Sequence, residues 1–192
     1  MPRPPSDRPV RIADAALELI ATSGLHAVTH RAIDSHLGYP QGTTSYYART
    51  RAELLTRATE LLAERFDAKI DVTALDDVRT DDEAIAVIVG MMRRLQDAES
   101  DQIAHYVLLI ELRKDPELAA LLGAASPARR AMHRMTAQLI ERCGYTDAEE
   151  HASGLLALLS GLMLARLTGN QQVPVESAVA TFWGGMRRPV RP

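Results

Sequence analysis

Apolar residues recur at a helical period along almost the whole chain, and no segment shows the strict alternation of a strand. The first periodic stretch runs from about Val10 to Ser23, with Ile12, Ala13, Ala16, Leu17 and Ile20 on one face and Gly24 placed to end it. Thr29 is an N-cap for a second helix through Leu37, in which Ile33 and Leu37 face inward. Gly38-Tyr39-Pro40 predicts a turn, and Pro40 then opens a short third helix to about Ala48, since proline is tolerated at a helix's first position. Thr50-Arg51-Ala52-Glu53 has the form of a capping box and starts a long fourth helix carrying Leu54, Leu55, Ala58, Leu61, Leu62 and Phe66. Polar residues 71–80 break it.

A second capping box, Thr80-Asp81-Asp82-Glu83, opens a helix to about Asp97, and another spans about Gln102–Lys114. Asp115-Pro116 begins a further helix that ends near Cys143-Gly144, and Pro127 should kink or interrupt it. Thr146 or Asp147 caps the next, which runs to about Thr168 and stops at Gly169; the last covers about Val175–Met186. Helices that are apolar nearly all round belong inside a large helical body. The expected class is therefore all-α, with no solenoid repeat.

Composition narrows the function. A chain of 192 residues, 46% hydrophobic and 24% charged, is long enough for a small domain plus a larger one. Cys143 is the single cysteine, so no internal disulfide forms, and with no resolving partner an inert thiol is expected. The six histidines show no metal-ligand spacing, and no cofactor is expected. The N-terminal residues lack the apolar core of a signal peptide, and the longest apolar run, Gly154–Ala165, is too short to span a bilayer. No membrane partner is expected, and the cytoplasm is the expected compartment. The net charge of -3 excludes a uniformly basic coat. Its distribution says more: residues 1–52 carry +2, residues 53–186 carry -8, and residues 187–192 carry +3. A basic head on an acidic body meets phosphate while the body stays soluble.

Two short helices joined by a tight turn form a helix-turn-helix pattern, whose second helix sets its N-terminal side chains against base edges in the major groove. Here those residues are Gln41, Gly42, Thr43, Thr44 and Ser45, followed by Tyr46 and Tyr47. Threonine methyls fit thymine methyls, glutamine pairs with adenine, and tyrosine hydroxyls reach phosphate oxygens. Arg51 stands at the start of the fourth helix, where the dipole already favours an anion.

Taken together, residues Val10 to Phe66 resemble the TetR family of bacterial transcriptional regulators. The resemblance rests on Ile12-Ala13-Asp14-Ala15-Ala16-Leu17-Glu18-Leu19, Thr29-His30-Arg31-Ala32-Ile33, Gly42-Thr43-Thr44-Ser45-Tyr46-Tyr47 and Thr50-Arg51-Ala52-Glu53-Leu54-Leu55, in register. It implies an N-terminal three-helix helix-turn-helix DNA-binding domain plus a C-terminal helical ligand-binding and dimerisation domain. On that basis residues 1–9 are a loose arm, 10–52 the DNA-binding domain, 53–186 the ligand-binding and dimerisation domain, and 187–192 a basic tail. By position, Thr29, Arg31, the segment Gln41 to Tyr47 and Arg51 would contact DNA. Ser45 stands where the family commonly has tyrosine, and Ala48 where it often has phenylalanine, which leaves open whether Tyr46 or Tyr47 faces DNA.

Other features have both plain and functional readings. Arg3 and Arg8 either reach the minor groove or stay solvated. Met91, Met92, Tyr106, Ile110 and Met163 are candidates for an adaptable pocket wall, against core filling. Glu111 and Arg113 either orient a polar ligand or face solvent. Gly154, Ala157, Leu158, Gly161, Leu162 and Ala165, with Trp183 of the last helix, are candidates for a dimer seam, because small residues let a second helix approach closely. The expected protein is a homodimeric, ligand-responsive repressor of a near-palindromic double-stranded DNA operator, released by an unidentified small-molecule effector. The alternatives are a helical interaction module that has lost DNA binding, and a helical enzyme. Against the enzyme, the sequence holds no nucleophile elbow, phosphate loop or metal-spaced histidine pair.

Overall fold

The computed structural model describes residues 7–69, 78–170 and 174–186. The expected arm over residues 1–6, including Arg3, and the basic tail 187–192 lie outside the described residues. Regular structure is entirely helical among the described residues: α1 (Arg8–Ser23), a 3-10 turn (Leu25–Ala27), α2 (His30–Leu37), α3 (Thr43–Tyr47), α4 (Arg51–Ala68), α5 (Asp81–Gln96), α6 (Glu99–Glu111), α7 (Pro116–Leu122), α8 (Pro127–Arg142), α9 (Ala148–Leu167) and α10 (Val175–Gly184). None of these helices is long and apolar enough to cross a membrane.

The chain forms two compact units. The first takes residues up to 67 together with 100–126. Its core joins Ile12, Ala16, Leu17 and Ile20 of α1 to Ile33 of α2, Leu54, Leu55 and Leu62 of α4, and Ala104 and Leu108 of α6. Each fully buried Leu or Ile contributes about 1.5–3 kcal/mol relative to exposure. Arg65 of α4 ties three helices of this unit, pairing with Asp14 of α1 and with Asp101 of α6 at 2.9 Å. Partial burial works against its charge, but the two carboxylates outweigh that and raise its pKa. In packing, the head is thus larger than the segment 10–52 marked out by sequence.

The second unit takes residues 68–99 and those from 127 onward. Its core is built from Ile88 and Met92 of α5, Leu139 and Ile140 of α8, Leu155, Leu159 and Met163 of α9, and Val179 and Trp183 of α10. Tyr145 lies edge-on to Trp183, ring centroids 5.9 Å apart, and its hydroxyl donates to Asp81 at 2.9 Å. Cys143 is buried, with its Sγ 3.7 Å from the Thr80 carbonyl.

Several boundaries differ from expectation, each for a local reason. The third helix starts at Thr43, not Pro40: the Thr43 amide and hydroxyl both donate to the Pro40 carbonyl, at 3.1 and 2.7 Å, which closes a turn there. Gly42 lies within that turn at φ 90°, a left-handed conformation that glycine adopts without steric cost. The interruption expected at Pro127 is present, as two helices. α7 ends at Gly123, where an added Cβ would stand 2.6 Å from the Ala119 carbonyl oxygen, and Pro127 becomes the first residue of α8. The box at Thr80 is complete, with Glu83 N–H on the Thr80 hydroxyl at 3.3 Å and Thr80 N–H on the Glu83 carboxylate at 3.0 Å. At Thr50 the Glu53 N–H reaches the threonine, but the Glu53 carboxylate takes the N–H of Arg49. The 3-10 turn at Leu25–Ala27 had no sequence signal.

Candidate nucleic-acid interface

The helix-turn-helix is assembled by α2. Thr29 caps it, its hydroxyl accepting the Ala32 N–H at 3.1 Å, and Gly38 ends it in the left-handed region at φ 65°. Ile33 is fully buried, and so is the residue beside it, Asp34, at 1% exposure. A buried carboxylate needs donors, and Asp34 has three. It accepts the Gly42 N–H at 2.8 Å, the Thr44 N–H at 2.8 Å and the Thr44 hydroxyl at 2.6 Å. Burial alone would push this carboxyl up; the hydrogen bonds from Thr44 and Gly42, with His30 nearby, win, and its pKa lies below the ordinary value. His30 in turn donates from Nε2 to the Ala48 carbonyl oxygen at 2.7 Å.

This arrangement sorts the sequence candidates. Gln41, Gly42, Ser45 and Tyr46 are exposed, Tyr46 by 81%, and Thr43 and Tyr47 are half-buried. Tyr47 packs against the apolar core of the first unit, and the Tyr46 ring meets it edge-on at 5.1 Å. Thr44 corrects the expectation of a base contact. It is fully buried, and its hydroxyl is taken up by Asp34, because the helical period turns it to the α2 side. Sequence reasoning missed Asp34 and His30. The signal was present for Asp34: a carboxylate between Ile33 and Leu37 on an inward face requires partners.

The cations fall into two sets. Arg51 is exposed, but its Nε donates to the Val28 carbonyl at 3.2 Å and its Nη2 to the Leu25 carbonyl at 2.7 Å, closing the 3-10 turn. Arg31, Arg49 and Arg57 are also exposed, and their side chains make no hydrogen bond or ion pair among the described residues. The guanidinium groups of Arg8 and Arg11 stand 5.7 and 5.4 Å from the centre of the Tyr39 ring, beside the turn. Several acids of the same unit already hold partners: Asp14 pairs with Arg65, Glu18 with His36 at 2.7 Å, and Asp34 and Glu53 take backbone amides. The exposed guanidinium groups of Arg31, Arg49 and Arg57 keep positive charge that attracts polyanions.

The pocket candidates are divided between the units. Met92 and Met163 are buried in the core of the second, where Met91 is half-buried. Tyr106 and Ile110 belong to the first; Ile110 is 57% exposed, since two residues past the buried Leu108 is the opposite side of α6. Glu111 and Arg113 are exposed as well. Among the seam candidates, Gly154, Ala157 and Gly161 are exposed on α9, and Leu158, Leu162 and Ala165 are half-buried. Trp183 is a correction: at 1% exposure it is core, held under Tyr145, and offers no surface to a partner. Gly154 answers to its own unit too, because a Cβ there would come within 3.2 Å of the Phe182 ring. No cluster of three or more His, Cys, Asp or Glu side chains that could hold a metal occurs among the described residues.

Comparison with known proteins agrees with this geometry. The pattern of bacterial regulatory proteins of the tetR family matches residues 12–65, and that of the tetracyclin repressor-like C-terminal domain matches residues 79–186. An HTH-type transcriptional regulator, BetI, from Rhizobium meliloti (strain 1021) is 26% identical over 178 residues, covering 90% of this chain and 85% of its own. A transcriptional regulator from Rhodococcus sp. Rha1 superimposes with a TM-score of 0.73 at 20% identity, over 92% of this chain and 94% of that one. A transcriptional regulator from Saccharomonospora viridis in complex with choline superimposes with a TM-score of 0.66 at 24% identity, over 92% and 93%. The two solved structures share the fold.

Proposed function

The chain belongs to the TetR family of bacterial regulatory proteins, and from that premise we propose that it is a homodimeric repressor whose α3 reads an operator and whose C-terminal part senses a small molecule. In this reading residues 10–52 are the DNA-binding head, residues 53–186 carry effector binding and dimerisation, and the protein acts in the cytoplasm. Gln41, Gly42, Thr43, Ser45 and Tyr46 face the bases and the adjoining phosphates. Tyr46, not Tyr47, is the tyrosine that meets DNA. Arg31 contacts phosphate, and so does Thr29, whose hydroxyl accepts the cap N–H and keeps its O–H to donate. Arg51 closes the 3-10 turn with its Nε donor and one Nη2 donor and keeps the remaining N–H groups of Nη1 and Nη2 for a phosphate. Arg49 and Arg57 add backbone charge.

The observation that carries this reading is the exposure of Gln41, Ser45 and Tyr46 on a helix end whose inward residue, Thr44, is locked to α2. A rigidly seated, polar, exposed helix start is what major-groove readout needs. On α9 the exposed Gly154, Ala157 and Gly161, with the half-buried Leu158, Leu162 and Ala165, support pairing of two copies. Pairing sets the two α3 helices about 34–36 Å apart, in successive major grooves. An effector held among residues such as Met91, Met92 and Met163 favours a dimer with another spacing. DNA affinity then falls by the coupling free energy, typically about 1–3 kcal/mol. The test is a gel shift on the DNA flanking the protein's own coding region. A sequence-dependent complex that weakens steeply with salt is expected; its absence overturns the reading.

A further inference from the structure

His30 and Asp34 lie one turn apart on α2 and hold opposite ends of α3. At the start of α3 the Asp34 carboxylate gathers the Gly42 and Thr44 amides, each at 2.8 Å, and the Thr44 hydroxyl at 2.6 Å. Just past its end the His30 ring donates to the Ala48 carbonyl at 2.7 Å. A helix of five residues has few internal hydrogen bonds and does not hold itself in place. Its apolar attachment is thin as well: Tyr47 is only half-buried against the core, and the fully buried position, Thr44, is polar. The seat of α3 is therefore a polar clasp.

We propose that His30 and Asp34 are positioning residues that fix the angle and depth of α3, so that discrimination between operator and other DNA depends on them more than the fold does. The proposal rests on α3 being the DNA-facing helix. Binding to phosphates through exposed arginines is insensitive to the pose of one short helix. Base contacts tolerate errors of only about 0.5 Å or 10–20°. Loosening the clasp thus removes the specific part of the affinity and leaves the rest.

The test compares affinity for a duplex selected by the wild type from a random library with affinity for a scrambled duplex, by fluorescence anisotropy. Asp34→Asn turns an acceptor into a donor facing the amides, Thr44→Val deletes the hydroxyl, and His30→Phe keeps the ring but loses the donor. Each is expected to weaken operator binding about tenfold or more, the effect of losing a charged or buried hydrogen bond. Binding to the scrambled duplex should change by less than about twofold on the same grounds. Thr44→Ser and His30→Gln restore an equivalent hydroxyl and N–H donor, and should recover most of the loss. Operator affinity unchanged in the folded variants, or a parallel fall on both duplexes, overturns the proposal. If Asp34→Asn does not fold, Thr44→Val and His30→Phe decide the matter. A wild type that binds no duplex brings down the parent reading and this one with it, a result distinct from variants that match a wild type that binds.

Discussion

Tyr46 and Thr44 stand two places apart on α3 in opposite surroundings, the first 81% exposed and the second fully buried. Tyr46→Ala should therefore leave the thermal midpoint within about 1 °C of wild type, since exposed substitutions change stability little, while operator affinity drops; calorimetry and anisotropy together check this. Asp34 makes a second prediction, through pH. Its pKa is lower in the fold than in the unfolded chain, where it is about 3.9. The stability it contributes is fully present above that value and is lost as pH falls through the lower folded one. Denaturant unfolding of wild type and Asp34→Asn should differ by a constant amount from pH 8 to pH 5, and the gap should close only in acid. A gap that shrinks near neutrality would contradict this. The helix-turn-helix was legible in the sequence; which of its side chains are buried was not. Thr44 looked like a base contact because nothing local shows that it faces Asp34. The two carbonyls that Arg51 also closes were not legible, because the 3-10 turn that holds them carries no periodic pattern.

Helices with strong periodicity or good caps were legible, the eight-residue α2 among them, and the bounds of α3 were not. α5 begins at Asp81, behind a threonine and glutamate that satisfy each other's amides, as the spacing Thr80 to Glu83 requires. Thr80→Ala removes one half of that box and should lower the unfolding free energy by about 1 kcal/mol with an unchanged denaturant slope; a shift below about 0.3 kcal/mol would mean that the cap is idle. α3 was misjudged by three residues because Pro40 is compatible both with a helix start and with the turn that the Thr43 hydroxyl closes. The break between α7 and α8 was expected at Pro127 and falls earlier, at Gly123. Proline at a first helical position costs nothing, so the interruption belongs to the glycine. Trp183 was expected at a seam formed by the last helix with the small-residue helix 154–168. Its burial depends on Tyr145, which is distant in sequence, and no periodicity within α10 reports that.

At the scale of the whole chain, charge and helicity point the same way. Residues 1–52 carry +2 and residues 53–186 carry -8, so within the first 186 residues it is the N-terminal segment that attracts nucleic acid. A helix-turn-helix at the N-terminal side was readable from the motif. The packing of residues 100–126 with the head was not, because it depends on contacts between segments far apart in sequence. The central claim is that two copies of α3 read one symmetric site. It is tested most directly by letting the wild-type protein select from a random duplex library and sequencing what it retains. The account predicts enrichment of a near-palindrome with half-site centres about 10 base pairs apart or a multiple of that, lost when Tyr46 is replaced by alanine. Retained duplexes with no shared sequence, or a single half-site without symmetry, would contradict it.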